Sequence, residues 1–262
     1  MMKKMFMAIA LGIAVTGVYA QDTKTETNTE ATKKKKIFDL GDRPNDHFMV
    51  QFGYDGWSAS GLTNSNGTKL GPSGFSRHFN IYFMMDKPSK NNPHISIGYG
   101  LGLATSNVFF KNVFIDVKSR AAQMPFVDVS QSSTSTPPNK FKKFKLATQY
   151  LQIPLELRYV ANAENPNKGF KAAVGVKLGY LLKSYTKGKN AVDNSGASIY
   201  NSSYIVKEYD KHFFNSTMAA ATIRIGLGII SLDGSYQLTT LLKDGAGPSI
   251  RPYSIGLTLS GL

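Results

Sequence analysis

The chain has 262 residues, 42% hydrophobic and 18% charged, with 31 Lys and Arg against 17 Asp and Glu and a net charge of +14. It holds no cysteine, which excludes a disulfide scaffold, a thiolate zinc site and a cysteine nucleophile. Beyond the N-terminus no apolar run reaches the roughly 18–20 residues of a spanning helix, which excludes a bundle of transmembrane helices.

Residues 1–20 form a three-part pattern: two lysines at Lys3 and Lys4, an apolar run over 5–18, and Val18, Tyr19 and Ala20 before a cut. This predicts a cleaved secretory signal, too short for a spanning anchor. Residues 21–46 predict a disordered periplasmic linker. Their first part is rich in Thr, Glu and Lys and holds no large apolar residue, so burial cannot offset chain entropy. Lys33 to Lys36 read as a solvated tether, and the export signal argues against a nucleic-acid partner.

From residue 47 the hydrophobic period is two. Strands are expected near 47–60, 74–86, 94–110, 143–161, 169–187, 212–228, 229–240 and 250–262. In one, Leu151, Ile153, Leu155, Leu157 and Tyr159 alternate with Gln152, Glu156 and Arg158. In the next, Phe170, Val174, Val176, Leu178 and Tyr180 alternate with Lys171, Gly175, Lys177 and Gly179. Recruiting 199–209 would raise the count to ten.

The polar face is mostly Gly, Ser, Ala and Thr with scattered charges, as the narrow filled interior of an eight-stranded barrel requires. The other face is Leu, Ile, Val, Phe and Tyr, as a lipid-facing band would be. Connections 2–3, 4–5 and 6–7 are short, whereas 1–2, 3–4 and 5–6 are long, the asymmetry of outer-membrane barrels. Phe170 and Tyr180 are ten residues apart. At ~3.3 Å per residue and a tilt of ~40°, they span roughly 25 Å, the height of the apolar band. Phe48 and Tyr159 would join Phe170 on one aromatic girdle, and Tyr253 would join Tyr180 on the other. The predicted fold is therefore all-β: an eight-stranded antiparallel transmembrane barrel over 47–262, with strands 1 and 8 paired because open edges in lipid are costly. Pro154 cannot donate to a ladder, which predicts a bulge or a water-satisfied site there.

Residues 150–159, Tyr-Leu-Gln-Ile-Pro-Leu-Glu-Leu-Arg-Tyr, resemble the mid-barrel strand of the Bacteroidetes-type outer-membrane β-barrel proteins, the PorT-like group. Residues 97–103, 174–180 and 253–262 resemble that group too. The resemblance implies an outer-membrane barrel of a Gram-negative bacterium with its N-terminus in the periplasm, and for some members a link to secretion or gliding machinery.

The inward face is expected to gather Asp55, Glu156 and Asp233 with Arg158, Lys171, Lys177, Lys183 and Arg224. In a closed interior these must pair, since an unpaired buried charge is very costly. They read as a structural polar plug; the basic excess would suit an anion path. His47, His78, His94 and His212 lack metal spacing, and no cofactor is expected. His78 with Ser76 and Asp55 is the one arrangement resembling a catalytic set, and no enzymatic activity is expected from it. Gly98, Gly100 and Gly102 recur at strand spacing and read as room for bulky neighbours such as Trp57 or Arg158. The longest connection, about 111–142, carries Lys111, Lys118, Arg120, Lys140, Lys142 and Lys143 and a Ser/Thr/Pro stretch at 130–138. It suits contact with lipopolysaccharide or an envelope protein, and 113–117 with 126–129 suit a small hairpin. The expected function is a monomeric barrel with a structural or surface-interaction role. The alternatives are an accessory part of a secretion or gliding machine and a narrow anion-preferring channel.

Overall fold

The computed structural model describes residues 48–60, 62–63, 70–130 and 140–261. The expected signal at 1–20, the linker at 21–46, His47, most of the 130–138 stretch and Leu262 lie outside the described residues.

Among the described residues there are eleven strands: β1 (Phe48–Ala59), β2 (Arg77–Pro88), β3 (Ile95–Phe110), β4 (Val113–Ile115), β5 (Phe126–Asp128), β6 (Phe141–Val160), β7 (Phe170–Ala191), β8 (Ile205–Tyr209), β9 (Thr217–Leu227), β10 (Ile230–Gln237) and β11 (Ile250–Ser260). Eight make the wall. Their order is β6-β3-β2-β1-β11-β10-β9-β7, and β7 returns to β6 to close the ring. Every neighbouring pair is antiparallel, including first strand on last. Closure leaves no wall strand with an unpaired edge, the condition for crossing hydrocarbon.

The three others are not wall strands. β4 and β5 form the expected small hairpin in the long connection. β8, inside the segment considered for a ninth and tenth strand, pairs with residues 185–189 of β7 alone. β7 has 22 residues and outruns the wall, so β8 adds to its extension and the ring stays at eight.

The short connections, at 89–94, 161–169 and 228–229, lie at one end, called here the short-turn end. Gly228, at φ 60°, starts the two-residue turn between the paired Leu227 and Ile230; such hairpin turns require positive φ. The long connections define the long-loop end.

Period-two alternation holds along the wall. Outward Leu155 is 50% and Val176 40% exposed, whereas Glu156 between their rows is 4% exposed. Phe48, Tyr159, Phe170 and Tyr180 also face out. Tyr253 shares their face: it is directly opposite outward Tyr236 and on the parity of exposed Ile255 and Leu257, and it is half-buried because its ring lies over the paired Gly56, in the space a Cβ there would fill. Pro154 pairs with Lys177 without a bulge. On its other side the β3–β6 pairing lapses for two residues, Gly100 and Leu101 opposite Ile153 and Pro154, and resumes in the same register. The missing N–H thus costs a gap in one ladder, and the strand runs on unshifted.

Candidate functional site

The bore is filled in layers. Nearest the short-turn end, Glu156 Oε2 accepts from Arg158 Nε at 2.9 Å and from Arg224 at 2.7 Å. Arg158 also lies 3.5 Å from Asp86 on β2. Lys171 Nζ donates to Ser260 Oγ at 2.8 Å, and Arg224 reaches the same hydroxyl at 3.4 Å. These groups come from β2, β6, β7, β9 and β11, so the network crosses the barrel. A Cβ on Gly98 would stand 2.3 Å from Arg158 Nε, and one on Gly102 2.3 Å from the Tyr82 ring. The alternating glycines of β3 are the room these side chains occupy.

One layer further in, Gln51 is the hub. It accepts from Lys177 Nζ at 2.8 Å and donates to Thr258 at 2.9 Å; Thr258 donates on to Asp233 at 2.7 Å. Lys177 stands 5.1 Å over the ring of Tyr82, whose hydroxyl donates to Gln152 at 2.6 Å. In low dielectric an unpaired cation is strongly disfavoured, and here Lys177 has both an oxygen and an aromatic face.

Above this is a cavity of about 90 Å³ lined by, among others, Asp55, His78, Ser106 and Lys177. Asp55 Oδ1 meets His78 Nδ1 at 2.8 Å, and Asp55 also accepts from Ser106 Oγ. The His78 ring lies over the directly paired Gly53 and Gly256, where a Cβ would come within 2.9 and 3.0 Å of it. Its Nε2 is buried and meets no described hydrogen-bonding partner. Ser76, the hydroxyl expected beside His78 and Asp55, instead accepts from the Phe109 N–H at 3.0 Å. The serine touching this group bonds the carboxylate, and among the described residues no hydroxyl meets the imidazole, the contact a nucleophilic serine needs. Among the described residues no group of three His, Cys, Asp or Glu is placed to hold a metal ion.

The top of the bore is apolar. Val108, Phe110, Phe144, Leu146 and Leu181 of the wall pack with Leu62, Leu70, Ile115, Met124, Phe213, Phe214 and Leu242 of the long connections.

Of the eight residues expected in the interior network, Asp55, Glu156, Arg158, Lys171, Lys177, Arg224 and Asp233 are buried in the bore. Lys183 is not: it is exposed on the outer face. The register between β6 and β7 shifts at Gln149/Tyr150, where Tyr150 pairs with Leu181 but Gln149 with Lys183. The extra residue reverses the parity of β7 beyond Leu181, so Ser184 and Thr186 turn inward and Lys183 outward. Gln51, Asp86, Thr258 and Ser260 are further partners that charge patterning alone does not pick out. Except for Asp86 they are uncharged, and their only signal in the sequence is inward parity.

Residues 45–242 match the family described as "Outer membrane protein beta-barrel domain". The chain belongs to this family. It is an outer-membrane β-barrel protein, as its lipid-facing wall requires. No curated protein matches it. Similar solved structures include two of Ail, the attachment invasion locus protein of Yersinia pestis. One, in complex with the heparin analogue sucrose octasulfate, is 10% identical and covers 81% of this chain and 96% of that chain, with a TM-score of 0.32. The other is also 10% identical and covers 81% and 95%, with a TM-score of 0.28.

Proposed function

We propose that this protein is a non-conducting, non-enzymatic outer-membrane barrel that presents its long-loop end at the surface of a Gram-negative cell. In this reading residues 1–20 are removed on export, residues 21–46 lie in the periplasm and 47–262 form a monomeric barrel of the PorT-like group. Lipopolysaccharide and an envelope protein are its partners.

The carrying observation is the filled bore. A chain of paired charges crosses it near the short-turn end, and an apolar core closes it at the long-loop end. Eight strands leave room for side chains and little else, and an ion would have to break the Glu156 pairs to pass. The same filling speaks against an anion-preferring channel. The order Ser106–Asp55–His78 speaks against hydrolysis by an activated serine.

Planar-bilayer recording of the refolded full chain tests the reading. Silence is expected; regular conductance steps at modest voltage would overturn it. A short epitope inserted at 195–197, an exposed turn, should be labelled by antibody on intact cells, and labelling only after lysis would reverse the orientation.

A further inference from the structure

On the outer face at the long-loop end, cations face cations. Lys145 of β6 is directly opposite Lys187 of β7, and Lys143 opposite Lys189. Lys187 is in turn opposite Lys207 of β8. On the other flank Phe109, opposite Lys145, carries two cations on its ring: Arg77 at 5.4 Å and Lys145 Nζ at 5.9 Å. Like charges directly opposite one another are destabilising in a sheet. Among the described residues none of these six cations is ion-paired. Lys145 donates only to Asn107 Oδ1, at 2.5 Å, and Glu208, the acid of β8, is opposite Thr186, whose side chain faces the bore.

The position of the belt matters as much as its sign. Along the outer face of β6 the apolar run ends at Leu151, opposite Tyr180. Lys145 is six residues further on, roughly 15 Å higher at ~3.3 Å per residue and a tilt of ~40°. The flexible four-carbon stem of a lysine lets its ammonium reach back toward the membrane. The belt stands above the lipid-facing band, beyond Gln149 and Ala147 of β6, and a molecule reaching both carries acyl chains and anionic groups together.

We propose that Arg77, Lys143, Lys145, Lys187, Lys189 and Lys207 form a binding belt for the phosphate groups of lipopolysaccharide in the outer leaflet. The phosphates offset the facing charges, and the acyl chains lie on Leu103, Leu151 and Tyr180. This rests on the long-loop end facing outward, which the surface epitope checks separately. Conductance would sink the non-conducting reading and leave the belt untouched.

The experiment measures binding of purified lipid A to the full-length protein in detergent by native mass spectrometry. Bisphosphorylated lipid A should bind, whereas dephosphorylated lipid A should bind about ten-fold more weakly or worse. Lys145→Gln/Lys187→Gln/Lys207→Gln should lose roughly ten-fold to a hundred-fold in affinity. Lys87→Gln/Lys90→Gln/Lys168→Gln, a matched charge loss on exposed residues at the short-turn end, should stay within about two-fold, inside the scatter of rim-charge effects. Equal binding by the belt variant, equal binding of dephosphorylated lipid, or full competition by an equimolar amount of inorganic phosphate would overturn the proposal. If the triple variant does not fold, Lys187→Gln and the two lipids on the native protein decide the same question.

Discussion

The two ends of this bore are filled by opposite chemistry. Toward the short turns the filling is ionic: Glu156 holds two guanidinium groups, and Gln51 links Lys177 to Asp233 through Thr258. Toward the long loops it is hydrocarbon, with Phe110, Phe144 and Leu146 packed against loop residues such as Ile115 and Phe214. The wall is continuous between them. The difference lies in what is available to cover each region. At the short-turn end the strands fill the bore from their own inward positions, and polar side chains of five strands meet there. At the long-loop end the connections fold back over the bore and form a core as a soluble domain does. The ionic end is strong only as a complete set, whereas the apolar end tolerates losses in proportion to the volume removed.

The largest expected effect breaks the ionic end. Glu156→Gln removes the negative charge shared by Arg158 and Arg224 and leaves Arg224 without its carboxylate in low dielectric. Urea unfolding of the refolded barrel in vesicles should show a loss of about 3–5 kcal/mol. Leu146→Ala opens a cavity in the apolar end and should cost about 2–4 kcal/mol in the same assay. The two should add, because distant sites with no shared partner are independent. Strong coupling would mean that the two fillings act as one. Gly98→Val drives a side chain into Arg158 and should cost about 1–3 kcal/mol as overpacking. The corresponding change at Gly234, where a Cβ meets nothing closer than 3.5 Å, should cost less.

The smallest effect lies in the long connection between β7 and β8. The Ser195 hydroxyl, together with the backbone N–H groups of Ala197, Ser195 and Gly196, holds the Asp193 carboxyl below its ordinary value of 3.8. A depressed carboxylate supports its turn at any pH above its unfolded value, and the support fades as pH falls through the lower folded value. Protection of the 195–197 amides, taken relative to the intrinsic exchange rate at each pH, should therefore hold at pH 6 and fall below about pH 4. Asp193→Asn should remove that pH dependence and leave the barrel unfolding transition in place.

Much of the wall was legible in the primary structure, because a strand turns successive side chains to opposite faces and only one face meets lipid. Leu155 outward and Glu156 inward followed from that alternation, as did the eight wall strands and the room made by Gly98. Lys183 escaped it. A bulge against Gln149 and Tyr150 depends on how a partner strand is registered, and no local pattern in β7 marks it. Pro154 was visible as a defect, but whether the chain would bulge or leave a ladder gap depended on its two neighbours.

The amino-acid sequence by itself determined which residues could face hydrocarbon, how many times the chain crosses it and most of the charges that would be enclosed, because these follow from local periodicity and the cost of burying charge. Only the tertiary structure decided which charge meets which, that the loops seal one end with an apolar core, and that six cations come to face one another outside. Those outcomes depend on register and closure, which are set by contacts between residues far apart along the chain.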